Sequence, residues 1–344
     1  MTLSELTREF FGRVGDTDVH RYTLSRPGGL TVRVLDYGGV IQSVQAPDRH
    51  GRPADVVLGY PDLDGYVANN RPGAPRVFLG ALIGRFANRI AGGAFTLDGV
   101  LHRVPVNDGK NSLHGGPAGF DTRVWSAAPV PGGVRLTLVS PDGDQGYPGR
   151  LTTEVTYRLG SRLRITYRAT TDAPTVVNLT NHTYWNLAGA GSVHDHSLSI
   201  AASRYCPTDE NLIPVGAPAP VDGTPFDFRR ATTIGARLGA PDPQLAIGHG
   251  YDHNWVLDDG APFAARAWEP TSGRLLTMWT TEPGLQFYSG NHLGSPGAGF
   301  ALEAQHFPDS PNRPDFPSTV LRPGEVYHQE TVFELTAPDR PPVA

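Results

Sequence analysis

The chain has 344 residues but only one cysteine and two methionines. Lys110 is its single lysine, so the remaining cationic side chains are arginines. Each shortage excludes something. Cys206 alone cannot form an intrachain disulfide, so the fold makes no demand for an oxidising compartment. Lys110 lies in the polar loop NDGKNS, too wet a setting to depress an amine pKa for Schiff-base chemistry. No stretch approaches the ~18 consecutive apolar residues of a membrane-spanning helix. The opening MTLSELTREFFGRVGD has neither the basic end nor the apolar run of a secretory leader. The expected location is therefore the cytoplasm. The formal charge of −5 is modest and comes without a basic patch, which argues against a nucleic-acid partner. There is no H-E-x-x-H motif and no Cys/His ligand spacing. The pair His194 and His196 in VHDHS would share one strand face, but no third ligand is signalled beside it. The glycines of GGPAG (115–119) lack the Lys-Ser/Thr pair of a phosphate loop.

What the chain has in quantity is punctuation: 41 glycines and 32 prolines. These suit many short strands joined by turns better than long helices. Apolar and polar residues alternate at 30–36 (LTVRVLD), 133–139, 151–158, 162–168 and 331–335. Period-two alternation marks strands with one buried face. PGG at 27–29, DRHGRP at 48–53 and GDQGYPG at 143–149 supply turn chemistry. Helical patterning is rare, with short helices expected at Arg230–Leu238 and near Tyr60–Val67. No composition break reads as a linker. The expectation is one all-β domain over 1–344, a large antiparallel β-sandwich of two face-to-face sheets. The Pro-rich tail, about 337–344, is expected to be loose.

Six segments are dense in polar and aromatic residues: GRFANRIAGG (84–93), NSLHGG (111–116), NLTNHTYWNL (178–187), GYDHNW (250–255), GLQFYSGNHL (284–293) and LEAQHFPDSPN (302–312). A sugar presents hydroxyls around an apolar ring face, so its site needs bidentate polar side chains and aromatic surface. The six segments supply both. Each residue also has a structural reading. Arg85 and Arg89 could lie on a turn surface, and His114 could be a polar turn residue. Asn181 and His182 could be a hydrogen-bonded corner, Asp252 a turn cap, and Glu303 a strand residue on a wet face.

In this order, with SPDGDQGYPG (140–149) between them, the segments resemble the aldose 1-epimerase (galactose mutarotase) family over almost the whole chain. The ordered set is specific, although each segment alone is not. The resemblance implies a galactose mutarotase-like supersandwich binding its sugar in an open cleft across one sheet. It implies Glu303 as catalytic base, His182 as catalytic acid and His114 as a second active-site histidine. It places Asn88, Arg89, Tyr184, Asp252 and Gln286 against the sugar. Trp185 stands where Phe is commoner and Phe307 where Trp is commoner, which is expected to alter the pocket's shape.

The implied reaction exchanges the α and β anomers of a free aldose such as glucose or galactose. It needs one proton removed from the C1 hydroxyl and one delivered to the ring oxygen, so no cofactor and no metal are expected. A carboxylate beside His182 is expected to favour the charged imidazole. The partner is then a small aldose, and the chain a monomer or weak homodimer. Three other readings stay in view: a hexose 6-phosphate mutarotase, a sugar-binding module without catalysis, and a two-carboxylate glycosidase with Asp252 as the second acid.

Overall fold

Residues 4–70 and 76–340 are described by the computed structural model. Alternation becomes sheet as expected. In Leu163–Thr171, Leu163, Ile165, Tyr167 and Ala169 are buried while Arg164 and Arg168 face solvent. This strand belongs to a nine-stranded antiparallel sheet. Its order is Ser126–Val130, Gly133–Ser140, Leu151–Leu159, Leu163–Thr171, Tyr327–Thr336, Leu275–Thr280, Ala265–Trp268, Ser197–Ile200 and Thr232–Thr233. The C-terminal strand lies mid-sheet, paired on both sides.

A six-stranded antiparallel sheet faces it, ordered Tyr184–Trp185, Phe300–Gln305, Gly284–Tyr288, Asp252–Val256, Arg204–Cys206 and Ala219–Pro220. One apolar cluster fills the space between them. The first sheet contributes Tyr157, Ile165, Met278 and Phe333; the second contributes Trp255, Phe287, Phe300 and Leu302. The Trp185 ring lies 5.0 Å from Phe333 and joins the two layers. A five-stranded meander from Glu5–Val14 to Pro53–Asp55 adds Tyr22, Val32 and Ile41 to the same cluster. Tyr157 ties that meander down by donating its hydroxyl to the Gly39 carbonyl at 2.6 Å.

The helical expectations are partly corrected. The segment Arg230–Leu238 is not an α-helix. Thr232–Thr233 pairs at the sheet edge, and only a 3-10 turn follows at Ile234–Arg237. Ile234 is its one buried residue and no side chain caps it, so nothing prolongs it. A helix does form at Leu63–Asn69, with Asp62 accepting from the Gly65 N–H at 3.0 Å. A second, unexpected one occupies Pro243–Gly248. Asp242 caps it and proline takes the first turn, a start signal that Asp-Pro carries in sequence. Residues 337–340 have no regular structure, and 341–344 lie outside the described residues. Among the described residues no helix is long and apolar enough to cross a membrane.

Candidate active site

The register of the six-stranded sheet gathers the polar residues. Glu303 pairs with Gln286, and Gln286 with Asn254. Side chains alternate between faces. Leu302, Phe287 and Trp255 therefore point into the core, while Glu303, Gln286 and Asn254 share the opposite face. This is why Phe300–Gln305 is buried along its whole length, with Glu303 only 2 % exposed. Glu303 does not lie on a wet face.

Loops close over that face. His182 is pinned by its own backbone: its N–H donates to Ala81 at 2.8 Å, and its carbonyl accepts from the Gly80 N–H at 3.0 Å. His114 sits in a left-handed turn at φ 53°. Its N–H donates to the Asn88 carbonyl, and the Asn88 N–H donates back to the His114 Nδ1, each at 3.1 Å. Gly115 follows at φ +83°, where a Cβ would lie 2.0 Å from the Gly84 carbonyl oxygen. Only glycine permits that approach. His114 is thus a turn residue, and the turn brings its ring to the cleft.

Together these residues border a cavity of about 200 Å³. Glu303, His182, His114, Asn88, Arg89, Tyr184 and Asp252 all line it. Gln286 does not; its amide donates to the Asp252 carboxylate at 2.7 Å and holds it from behind. The lining also includes Arg76, Phe78, Asp108, Leu113, Tyr288 and His292. Tyr288 and His292 lie inside the GLQFYSGNHL segment, but Arg76 and Phe78 carry no motif that signals them. Trp185 and Phe307 do not shape the pocket as expected. Trp185 is sealed in the core, and Phe307 packs with Phe316 and Cys206. Arg85 is also buried, bonded to Ser140 and to the carbonyls of Pro141 and Pro148.

The His182 Nε2 stands 3.5 Å from the Glu303 Oε1. The other carboxylate oxygen and the His182 Nδ1 are buried without a protein partner. Burial pushes the imidazole down to about 4. Burial and then the charge of Asp252 push the Glu303 carboxyl up, with Arg89 opposing. Desolvation thus disfavours the charged form of both groups. The expected influence of the carboxylate on the imidazole is the weaker one here: burial is the main cause of the His182 shift. Burial lowers His114 too. Its tautomer follows from its partner, because an Nδ1 that accepts from Asn88 leaves the proton on Nε2. Arg89 donates to Asp108 at 2.7 Å.

His114, His182 and Glu303 offer donor atoms within 4.8 Å of one another. That set fits a metal ion poorly. A metal-bound histidine donates its other N–H to an acceptor, whereas here the backbone donates to His114. The VHDHS histidines do not pair either. His194 is exposed in a turn, while His196 is buried and accepts from the Leu187 N–H at 2.9 Å.

Fold and site together define a class: a β-sandwich protein with a buried carboxyl–imidazole pair in the wall of a small polar cleft. A sequence profile described as "Aldose 1-epimerase" matches residues 20–334. The galactose mutarotase of Rattus norvegicus is 44 % identical over 349 aligned positions, covering 96 % of this chain and 98 % of its own. The aldose 1-epimerase of Escherichia coli is 41 % identical, covering 92 % and 94 %. A solved galactose 1-epimerase from Lactobacillus acidophilus superposes with a TM-score of 0.86 at 30 % identity, covering 97 % and 99 %. The chain belongs to the aldose 1-epimerase family.

Proposed function

We propose that this chain is an isomerase that interconverts the α and β anomers of a free aldose, with Glu303 and His182 exchanging the protons. The observation that carries this reading is the 3.5 Å contact of the two side chains on one wall of a cavity sized for a single small ring. In ring opening the C1 hydroxyl gives its proton to the Glu303 carboxylate. The C1–O bond to the ring oxygen breaks as the C1 carbonyl forms. The ring oxygen keeps the electron pair and takes a proton from His182. Rotation about C1–C2 and the reverse steps give the other anomer. The pair needs no external proton to begin. One proton held between them suffices, because the neutral pair and the reactive ion pair differ only by transfer across their contact.

His114, fixed as an Nε2–H donor, suits a sugar oxygen. Asn88, Arg89, Tyr184 and Asp252 are placed for hydroxyls, and Gln286 for holding Asp252. The residues of the site run from Asn88 to Glu303, so the functional unit is the chain as one domain. A free sugar fits better than a phosphorylated one. Arg76 and Arg89, the arginines of the described lining, are each paired with a carboxylate, and the other acids of the lining, Asp252 and Glu303, offer nothing that attracts a phosphate. The partner of Glu303 is an imidazole, which favours anomer exchange over two-carboxylate hydrolysis.

Polarimetry on freshly dissolved α-D-glucose and α-D-galactose tests the reading. The wild type is expected to speed the drift to equilibrium. Glu303→Gln and His182→Asn are each expected to lose about 10²–10⁴ of that acceleration while staying folded. A wild type no faster than buffer on either sugar overturns it. The profile of kcat/KM should be a broad bell, its acid limb well below the ordinary imidazole value of ~6.5. An acid limb near ~6.5 counts against a desolvated His182.

A further inference from the structure

The His182 ring is held by more than its backbone. It stacks on Phe78 with centroids 5.8 Å apart and planes at 25°. It also leans on Tyr184 at 4.9 Å. Phe78 meets the second histidine as well, edge-on to His114 at 4.7 Å. One phenyl ring thus touches both imidazoles. Phe78 is a bulky residue at φ 53°, a conformation that persists only where the surroundings enforce it.

Arg76 packs on the open side of Phe78. Its guanidinium lies 4.7 Å from the centre of the Phe78 ring. One nitrogen donates to the carbonyls of Gly116 and Pro117, both at 3.1 Å. Another is bound to the carboxylate of Asp121. The Arg76 side chain is 13 % exposed and that of Asp121 1 %. A planar guanidinium can stack on a ring and hold three oxygens at its edge, which a lysine cannot. Arg76 therefore bolts the Phe78 wall to the turn that follows His114. Those bonds engage both terminal nitrogens and leave the buried Nε–H without a protein partner.

We propose that Arg76 is a positioning residue: through Phe78 it fixes the His182 imidazole opposite Glu303 and keeps His114 in register with it. The rate arm of the test rests on the mutarotase reading; the spectroscopic arm does not. Arg76→Met removes charge and bonds at similar volume, while Arg76→Lys keeps the charge and loses the fork. Circular dichroism and Tm establish that each is folded.

The Met variant is expected to lose about tenfold or more in kcat, as small misplacements of catalytic groups do. KM should stay within about twofold, because no sugar contact is removed. The Lys variant should fall between. The acid limb of kcat/KM should move upward as the His182 ring, which faces His114, Tyr184 and Glu303, loses its enclosure. Imidazole ¹⁵N spectra should show a broadened or shifted His182 signal titrating at higher pH in the Met variant.

Unchanged kcat with an unchanged His182 spectrum overturns the proposal, and so does raised KM at full kcat, which makes Arg76 a sugar contact. If the Met variant does not fold, the Lys variant decides by the same criteria. If the wild type shows no mutarotation, the mutarotase reading falls and the His182 spectrum alone decides the positioning role.

Discussion

The two sheets enclose the same core but use their other faces differently. The outer face of the nine-stranded sheet is wet. It carries cross-strand charges such as Arg164 with Glu330, Arg162 with Glu334 at 2.9 Å, and Arg135 with Glu154 at 3.6 Å. These groups are well hydrated and replaceable. The corresponding face of the six-stranded sheet is covered, and its polar groups have been taken out of water. The buried Glu303 Oε2, Gln286 Oε1, Asn254 Oδ1 and both polar atoms of Gln305 have no protein partner. Such groups cost stability. Polar groups on the first sheet meet water; on the second they are buried, and of those without a partner Glu303 alone lines the cleft, where a hydroxylated ligand can reach it.

The sharpest way to break this contrast is to remove the carboxyl. At neutral pH Glu303 is a group whose folded pKa stands above its unfolded value. It therefore favours folding at low pH and disfavours it as pH rises through the folded value. Glu303→Gln is expected to lose about 10²–10⁴ in kcat. It should also raise Tm at pH 8 relative to wild type, with the gain shrinking as pH falls toward 4. A variant less stable than wild type at pH 8 means that Glu303 is satisfied after all, and the contrast between the faces is gone.

This difference between the faces also governs what could be read in the sequence. Leu163–Thr171 alternates because one side is wet, and it was legible from period alone. FALEAQ, at Phe300–Gln305, is buried on both sides, so Glu303 lies on the non-core face that alternation assigns it, but that face is covered rather than wet. Only the ordered set of motifs placed it in a site. Asn88, Arg89, His114, His182, Tyr184 and Asp252 were legible in the same way, because each sits in a dense local segment. Arg76 and Phe78 were not. RVFLG has no local signature, and its role comes from contacts with Gly116 and Asp121 some forty residues away. The Arg230–Leu238 helix failed because the chain there serves a sheet edge instead. The Pro243–Gly248 helix was signalled by its Asp-Pro start and overlooked because the segment is so short.

A second, smaller effect concerns the core side of the six-stranded sheet, where His253 is fully buried. Its Nδ1 accepts from the Asp252 N–H at 3.2 Å, and its Nε2 lies 3.1 Å from the Gln244 amide oxygen. The ring is thus satisfied only when neutral, and burial pushes it down to about 3. A histidine depressed on folding contributes stability that is complete above its unfolded value of ~6.5 and is lost as pH falls toward the folded value. The slope over that window is about 1.4 kcal/mol per pH unit. The stability advantage of wild type over His253→Asn should therefore shrink between pH 6.5 and 4 in urea titrations. A difference that does not change with pH means the ring is hydrated.

The smallest effect belongs to the wet face. Arg164 pairs with Glu330 across neighbouring strands, at side-chain exposures of 45 % and 30 %. Water solvates both ions almost as well as they solvate each other, and ordering two long side chains costs entropy. Arg164→Ala is expected to change stability by less than about 1 kcal/mol, and to leave kcat and KM untouched because the sheet's core separates it from the cleft. The effect should shrink further as salt rises. A loss of several kcal/mol, or one insensitive to salt, would mean that this pair is shielded from water. The nine-stranded sheet would then hold polar groups under the same constraint as the six-stranded one.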